Sequence, residues 1–157
     1  MLFRSQVQVT GASTTYIPVQ CIVRTQGTQN ILYVQDANAT QKYLIGKYDL
    51  EILTLPRIEM YNVAIEQSKT NIVKIPLAGT LNVSFAQAGV CSVLNVQDGK
   101  EVKVFDFYGV AANSTETLQL QPGNYIVVFR PDKGKQSILT QKVNVTISSS
   151  KTSAAKF

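Results

Sequence analysis

Apolar and polar residues alternate along much of the chain with a period of two. Tyr48, Leu50 and Ile52 alternate with Asp49 and Glu51, and Leu81, Val83 and Phe85 with Asn82 and Ser84. Tyr125, Val127 and Phe129 form a third set, and Val143, Val145 and Ile147 a fourth. Successive side chains of an extended strand point to opposite faces, so this pattern predicts strands with one face on a core. Val, Ile, Thr and Tyr, which suit a pleated surface, are abundant, and no long window keeps a helical period. Turn chemistry separates the runs at Thr10-Gly11, Gln26-Gly27, Asp98-Gly99, Pro122-Gly123 and Lys133-Gly134. At Pro122-Gly123 the expectation is a turn in which proline presets the first central angle and glycine takes the positive one. Many short strands at this spacing predict sandwiches or barrels.

The chain also repeats itself. Asn62-Val63-Ala64-Ile65-Glu66-Gln67-Ser68-Lys69-Thr70 recurs as Asn144-Val145-Thr146-Ile147-Ser148-Ser149-Ser150-Lys151-Thr152, and Gly46-Lys47-Tyr48 as Gly123-Asn124-Tyr125. The run at Leu2 matches the run at Leu81. The offset between copies is then 79 at the first strand, 77 at the tyrosine and 82 at the last hairpin. An insertion around Pro131-Asp132-Lys133-Gly134-Lys135 accounts for the drift. Two modules follow, 1–76 and 77–157, each of about seven strands, enough for a two-sheet sandwich. The connection Lys74-Ile75-Pro76-Leu77-Ala78-Gly79 is short and poor in Ser and Gly, so a fairly fixed relation between modules is expected.

Pro122-Gly123-Asn124-Tyr125-Ile126-Val127-Val128 resembles the Pro-Gly-x-Tyr-x-hydrophobic core of transthyretin-like, carboxypeptidase-regulatory-type modules. Gly46-Lys47-Tyr48-Asp49-Leu50-Glu51-Ile52-Leu53 is a looser copy without the proline. The segments 47–57 and 120–131, with the strand Gln20-Cys21-Ile22-Val23-Arg24, resemble the C-terminal region of von Willebrand factor A-domain proteins from Bacteroidetes. The resemblance implies an all-β chain of two tandem Ig-like/transthyretin-like (prealbumin-like) β-sandwiches. It also implies a place downstream of an N-terminal von Willebrand A domain in a larger bacterial cell-envelope protein. The Asp-x-Ser-x-Ser metal signature of that domain is absent here, and no metal ligand is carried over.

Composition narrows the chemistry. Of 157 residues 45% are hydrophobic and 16% charged, enough apolar surface for a core. The chain has no histidine, which removes Ser-His-Asp and Cys-His nucleophilic sites and the usual zinc sites. It has no tryptophan, so a sugar-binding platform would rest on tyrosine, with Tyr43, Tyr61 and Tyr108 as candidates. Two cysteines do not make a disulfide framework. Cys21, in step with Val19 and Val23, reads as a buried thiol. No stretch has the length of a membrane span or a signal peptide; for an exported protein the signal lies outside this chain.

Asp49 and Glu51 fall on the outward side of their strand and read as a solvated face, not as the converging pair of a hydrolase. An intramolecular isopeptide bond, as in Gram-positive pilin sandwiches, is not expected. The acid of Tyr48-Asp49-Leu50-Glu51-Ile52 sits one position early, and the first two predicted strands, 2–10 and 16–24, hold no lysine. The Asn-x-Ser/Thr triplets at Asn38, Asn82, Asn113 and Asn144 read as chance in a chain rich in these residues.

Charge is uneven. From Leu118 to Phe157 stand Arg130, Lys133, Lys135, Lys142, Lys151 and Lys156 against the single acid Asp132, so this span carries the whole net charge of +5. Arg130, Lys133, Lys135 and Lys142 are the candidate interaction surface, suited to a protein or an anionic envelope polymer. The competing reading is edge-strand protection by lysine. No motif for specific nucleic-acid recognition is present. The expectation is a non-enzymatic binding or structural module, extracytoplasmic, with no catalytic residue, cofactor or metal. A tyrosine-based carbohydrate-binding module and an atypical carboxylate hydrolase are the alternatives.

Overall fold

The computed structural model describes residues 4–11, 19–132 and 139–157. The period-two runs form fourteen strands among these residues, divided between two units, Met1–Leu77 and Ala78–Phe157. The first unit holds β1 (Arg4–Thr10), β2 (Gln20–Thr25), β3 (Ile31–Asp36), β4 (Thr40–Leu44), β5 (Gly46–Ile52), β6 (Ile58–Ile65) and β7 (Thr70–Lys74). The second holds β8 (Gly79–Phe85), β9 (Gly89–Gln97), β10 (Lys100–Val110), β11 (Ser114–Leu120), β12 (Gly123–Pro131), β13 (Gln141–Ile147) and β14 (Thr152–Lys156). The chain is all-β, and each unit is a seven-stranded sandwich.

Both units have one strand order. The first pairs sheet β4-β1-β7 with sheet β3-β2-β5-β6; the second pairs β11-β8-β14 with β10-β9-β12-β13. In each, the first strand runs parallel to the last and the remaining pairs are antiparallel. The facing sides of the two sheets make the core. In the first unit Val7, Val9, Cys21, Val23, Leu50, Ile52 and Ile65 are buried together. In the second, Phe85 of one sheet meets Phe129 of the other with ring centroids 5.1 Å apart.

Strand pairing fixes which residues correspond. Tyr48 lies opposite Val63, and Tyr125 opposite Val145, at the offsets of 77 and 82 read from the sequence. The first strand needs a correction. Gln6 pairs with Thr70 and Thr80 with Thr152, so Val7 stands where Leu81 does, 74 positions earlier, not 79. One apolar letter at Leu2, itself outside the described residues, aligned the copies five positions away from the register that the last strand imposes. Cys21 faces Ile52, and Cys91 faces Phe129, so the two cysteines occupy one position of the repeat. Both are free and fully buried.

Among the described residues, which exclude Lys133-Gly134, the expected turns follow residue chemistry with one exception. Asp98 (φ 50°) and Gly99 (φ 74°) both take left-handed angles and join β9 to β10, as a tight hairpin of the right twist requires. Gly123, at φ 157°, already belongs to β12 and pairs with Ile147. Pro122-Gly123 therefore bends the chain into the strand and does not form the expected turn, whose glycine would sit near about +80°. The loop from Phe129 to its partner Gln141 is six residues longer than the loop from Ile52 to Ile58. A bulge returns one residue to the first unit, which explains the change of offset between the tyrosine and the last hairpin.

That bulge explains Asp49. The β5–β6 register shifts between Tyr48 and Leu50, and Asn62 takes a left-handed φ of 57°. The Asn62 N–H donates to Asp49 Oδ1 at 2.9 Å, and the Gly27 N–H donates to Oδ2 at 2.7 Å. Asp49 is thus buried, not solvated, because its carboxylate satisfies the backbone donors of a bulge and of the β2–β3 turn. Glu51 is not simply solvated either. Arg24 (2.7 Å) and Arg57 (2.5 Å) hold it, and the hydrogen bonds from Arg24 and then Arg57 keep its carboxyl below the usual range.

Candidate interaction surface

Each four-stranded sheet turns one face to its own core and the other outward. The repeat places Asp49, Glu51 and Arg24 on that outward face in the first unit. The corresponding positions in the second unit are Ile126, Val128 and Leu94. Leu94 lies opposite Ile126, Ser92 opposite Val128 and Val90 opposite Arg130, so an apolar stripe crosses β9 and β12. Val90, Leu94, Ile126 and Val128 are all half-buried. One sheet position therefore carries an ion-paired surface in the first unit and an apolar one in the second.

Cationic groups border the stripe on one side. Arg130 follows Phe129 on β12, and Lys142 lies opposite Val128 on β13; both are exposed. Val145 and Ile147 point inward from β13, which sets Lys142 and Asn144 outward by alternation. Among the described residues neither Arg130 nor Lys142 enters an ion pair. Lys133 and Lys135, the other two expected members, lie outside the described residues. β13 is an edge strand of its sheet, so Lys142 also stands where lysine protects an edge.

On the opposite side of the stripe the charge is already matched. Asp106, opposite Ser92, accepts bonds from Lys103 (2.8 Å), Ser92 (2.6 Å) and Tyr108 (2.9 Å). These bonds, Lys103's foremost, hold its carboxyl below the usual range. The face is thus cationic along β12–β13 and balanced along β10. The sequence pattern located the cations but not the stripe, because outward Leu and Ile residues on a buried-looking run give no separate signal.

The tyrosine candidates separate. Tyr43 is buried, and its hydroxyl donates to Gln35 Oε1 at 2.7 Å, which removes it as a stacking platform. It leans on Tyr48 at 5.7 Å inside the first core, where alternation along a short strand aims it inward. Tyr61 and Tyr108 are exposed, one in each unit. Among the described residues no group of three His, Cys, Asp or Glu side chains comes together, and no helix is long and apolar enough to cross a membrane.

Comparisons with protein-family models and with curated proteins gave no match. Among solved structures, the minor pilin GBS52 of Streptococcus agalactiae aligns over 99% of this chain and 94% of its own, at 10% identity and a TM-score of 0.45. The TIE protein of Bacillus anthracis aligns over 99% of this chain at 11% identity and a TM-score of 0.41. The open conformation of the pilus adhesin SpaC from Lactobacillus rhamnosus GG aligns over 98% at 13% identity and a TM-score of 0.32. The chain spans 33% of the TIE protein and 31% of SpaC. At these scores the fold assignment rests on the strand pairing itself.

Proposed function

We propose that this chain is a non-enzymatic binding and structural module of a bacterial cell-envelope protein, with its contact face on the second sandwich. The observation that carries the reading is the divergence of the repeat. The first unit uses its outward sheet face to pair charges, while the second leaves Val90, Leu94, Ile126 and Val128 beside two unmatched cations. A half-exposed apolar stripe with a cationic border fits an anionic partner that also presents apolar surface, either an acidic envelope polymer or an acidic protein patch. The extracytoplasmic location and the neighbouring von Willebrand A domain belong to the same reading and derive from the sequence resemblance.

The test is affinity for an anionic polymer at low salt, measured on the full chain. Arg130→Glu with Lys142→Glu should weaken binding at least about tenfold. Lys47→Glu, at an exposed position of the first unit, should leave it nearly unchanged. Equal loss from both changes would mean binding by net charge alone. No binding at low salt would leave Lys142 as an edge guard.

A further inference from the structure

Two bulges in β10 assemble a polar cluster beside an exposed ring. Cys91 and Val93 of β9 point into the core, so Ser92 and Leu94 point outward. Lys103 lies opposite Leu94 and Asp106 opposite Ser92, so both face outward although they are three residues apart. In a regular strand that spacing would send them to opposite faces. The unpaired Val104, where the β9–β10 register shifts, brings them to one face. A second shift falls between Phe107 and Val110, where Gly109 takes a left-handed φ of 63°. This bulge carries Tyr108, which at 77% is the most exposed large ring among the described residues.

The ring is held in place. Its hydroxyl donates to Asp106 Oδ2 at 2.9 Å, and the carboxylate is fixed in turn by Ser92 Oγ (2.6 Å) and Lys103 Nζ (2.8 Å). On the other side of the strand Phe105 and Phe107, opposite Val93 and Cys91, meet edge to face at 4.9 Å. The exposed tyrosine of the first unit lacks such support. The Tyr61 hydroxyl reaches Glu59, but among the described residues Glu59 enters no ion pair, and it lies opposite Glu51. Bulges and charges also protect an edge strand such as β10, but protection needs no exposed ring.

We infer that Tyr108, Asp106 and Lys103 form a saccharide subsite, in which a glucose-configured pyranose stacks on the Tyr108 ring and bonds through its hydroxyls to the carboxylate and the ammonium. The chemistry of the cluster selects this occupant. Lys103 and Asp106 balance each other, so neither a polyanion nor a cation is drawn there. An apolar protein side chain over the ring would also cover the ion pair and strip its water without replacing the lost bonds. The occupant is therefore neutral, with one apolar face and a polar rim. A pyranose with equatorial hydroxyls has that form, a C–H face ringed by donors and acceptors. Asp106 accepts, and the Lys103 ammonium has donors beyond the one it gives Asp106. The Tyr108 hydroxyl bond orders the ring in advance, so binding costs less freedom. The subsite lies across the stripe from Arg130 and Lys142, and it adds to the proposed binding role without depending on those cations.

Titrating the full chain with cellohexaose and with chitohexaose, followed by backbone amide resonances, tests the subsite. At least one of these neutral ligands should shift Ser92 and Lys103 to Val110, with little dependence on salt. Tyr108→Ala should weaken binding at least about tenfold by removing the stacked ring. Tyr108→Phe keeps the ring and should stay within about threefold of the wild type. Tyr61→Ala should change nothing. The pair Arg130→Glu with Lys142→Glu should also leave saccharide binding intact, which separates this subsite from the anionic-partner face. Unchanged urea midpoints would show that the variants fold. An absence of shifts with both ligands at about 10 mM would overturn the inference. So would equal effects of Tyr108→Ala and Tyr61→Ala, or binding that disappears in high salt.

Discussion

The Tyr125 hydroxyl donates a 2.6 Å hydrogen bond to the backbone carbonyl of Gln121, four residues earlier. Tyr48 makes the same bond to Leu44, at 2.8 Å and the same spacing. In both units this interval carries the chain from the end of one sheet (β4 or β11) to the start of the other (β5 or β12). The tyrosine ring fills the core while its hydroxyl ties down the crossing, the arrangement known as a tyrosine corner in immunoglobulin-type sandwiches. Buried rings usually require such a partner for the hydroxyl.

Tyr125→Phe should therefore cost about 1–3 kcal/mol by leaving a buried carbonyl unpaired. Tyr125→Ala should cost about 3–5 kcal/mol by adding a cavity in the core. Urea denaturation followed by circular dichroism measures both. A loss under about 1 kcal/mol for Tyr125→Ala would contradict the buried placement.

Alkaline pH should destabilise the chain for a related reason. Burial pushes Tyr125 up to about 12 and Cys21 up to about 11. Burial and, less strongly, the Asp106 charge push Cys91 up to about 12. Each group is neutral when protonated, and its folded value lies above its unfolded one. Their contribution is complete below about pH 9, where the unfolded thiols begin to titrate, and is lost as pH rises toward about 12. Urea midpoints should hold from pH 7 to about 9 and fall thereafter. In the folded chain at pH 8 neither cysteine should react with a thiol reagent, and both should react once the chain is unfolded.

Asp49 should matter more than its place on an outward face would indicate. Asp49→Ala leaves the Gly27 and Asn62 N–H groups without their acceptor and should cost about 1–3 kcal/mol. Asp36→Ala, at an exposed position, should change stability by less than about 0.5 kcal/mol. Equal effects from the two variants would mean that the bulge does not depend on the carboxylate.

The case of Asp49 shows where the sequence stops being legible. Alternation found the core-facing sets that begin at Tyr48, Leu81, Tyr125 and Val143 and the inward Cys21, because the period of two follows from backbone geometry, while the internal repeat paired the tyrosines. It also set Asp49 outward, which is correct for direction and wrong for solvation. Burial came from a bulge and a turn closing over the carboxylate, and neither has a period. The Leu2 alignment failed for a like reason: a short apolar run fits several registers until its neighbours choose one. Among the site residues, Lys142 and Arg130 could be placed by alternation. The stripe beside them emerges only when β9 and β12 are paired, since Leu94 and Ile126 are 32 positions apart in the chain.

Binding to the outward face is best tested by following backbone amide resonances of the full chain while an anionic polymer such as polyglutamate is titrated in at low salt. The account predicts shifts that cluster at Val90 to Val96 on β9, Ile126 to Arg130 on β12 and Lys142 to Thr146 on β13, and that reverse as salt is added. Shifts spread evenly over the lysines of both units, or centred on Lys42 and Lys47 in the first, would contradict it.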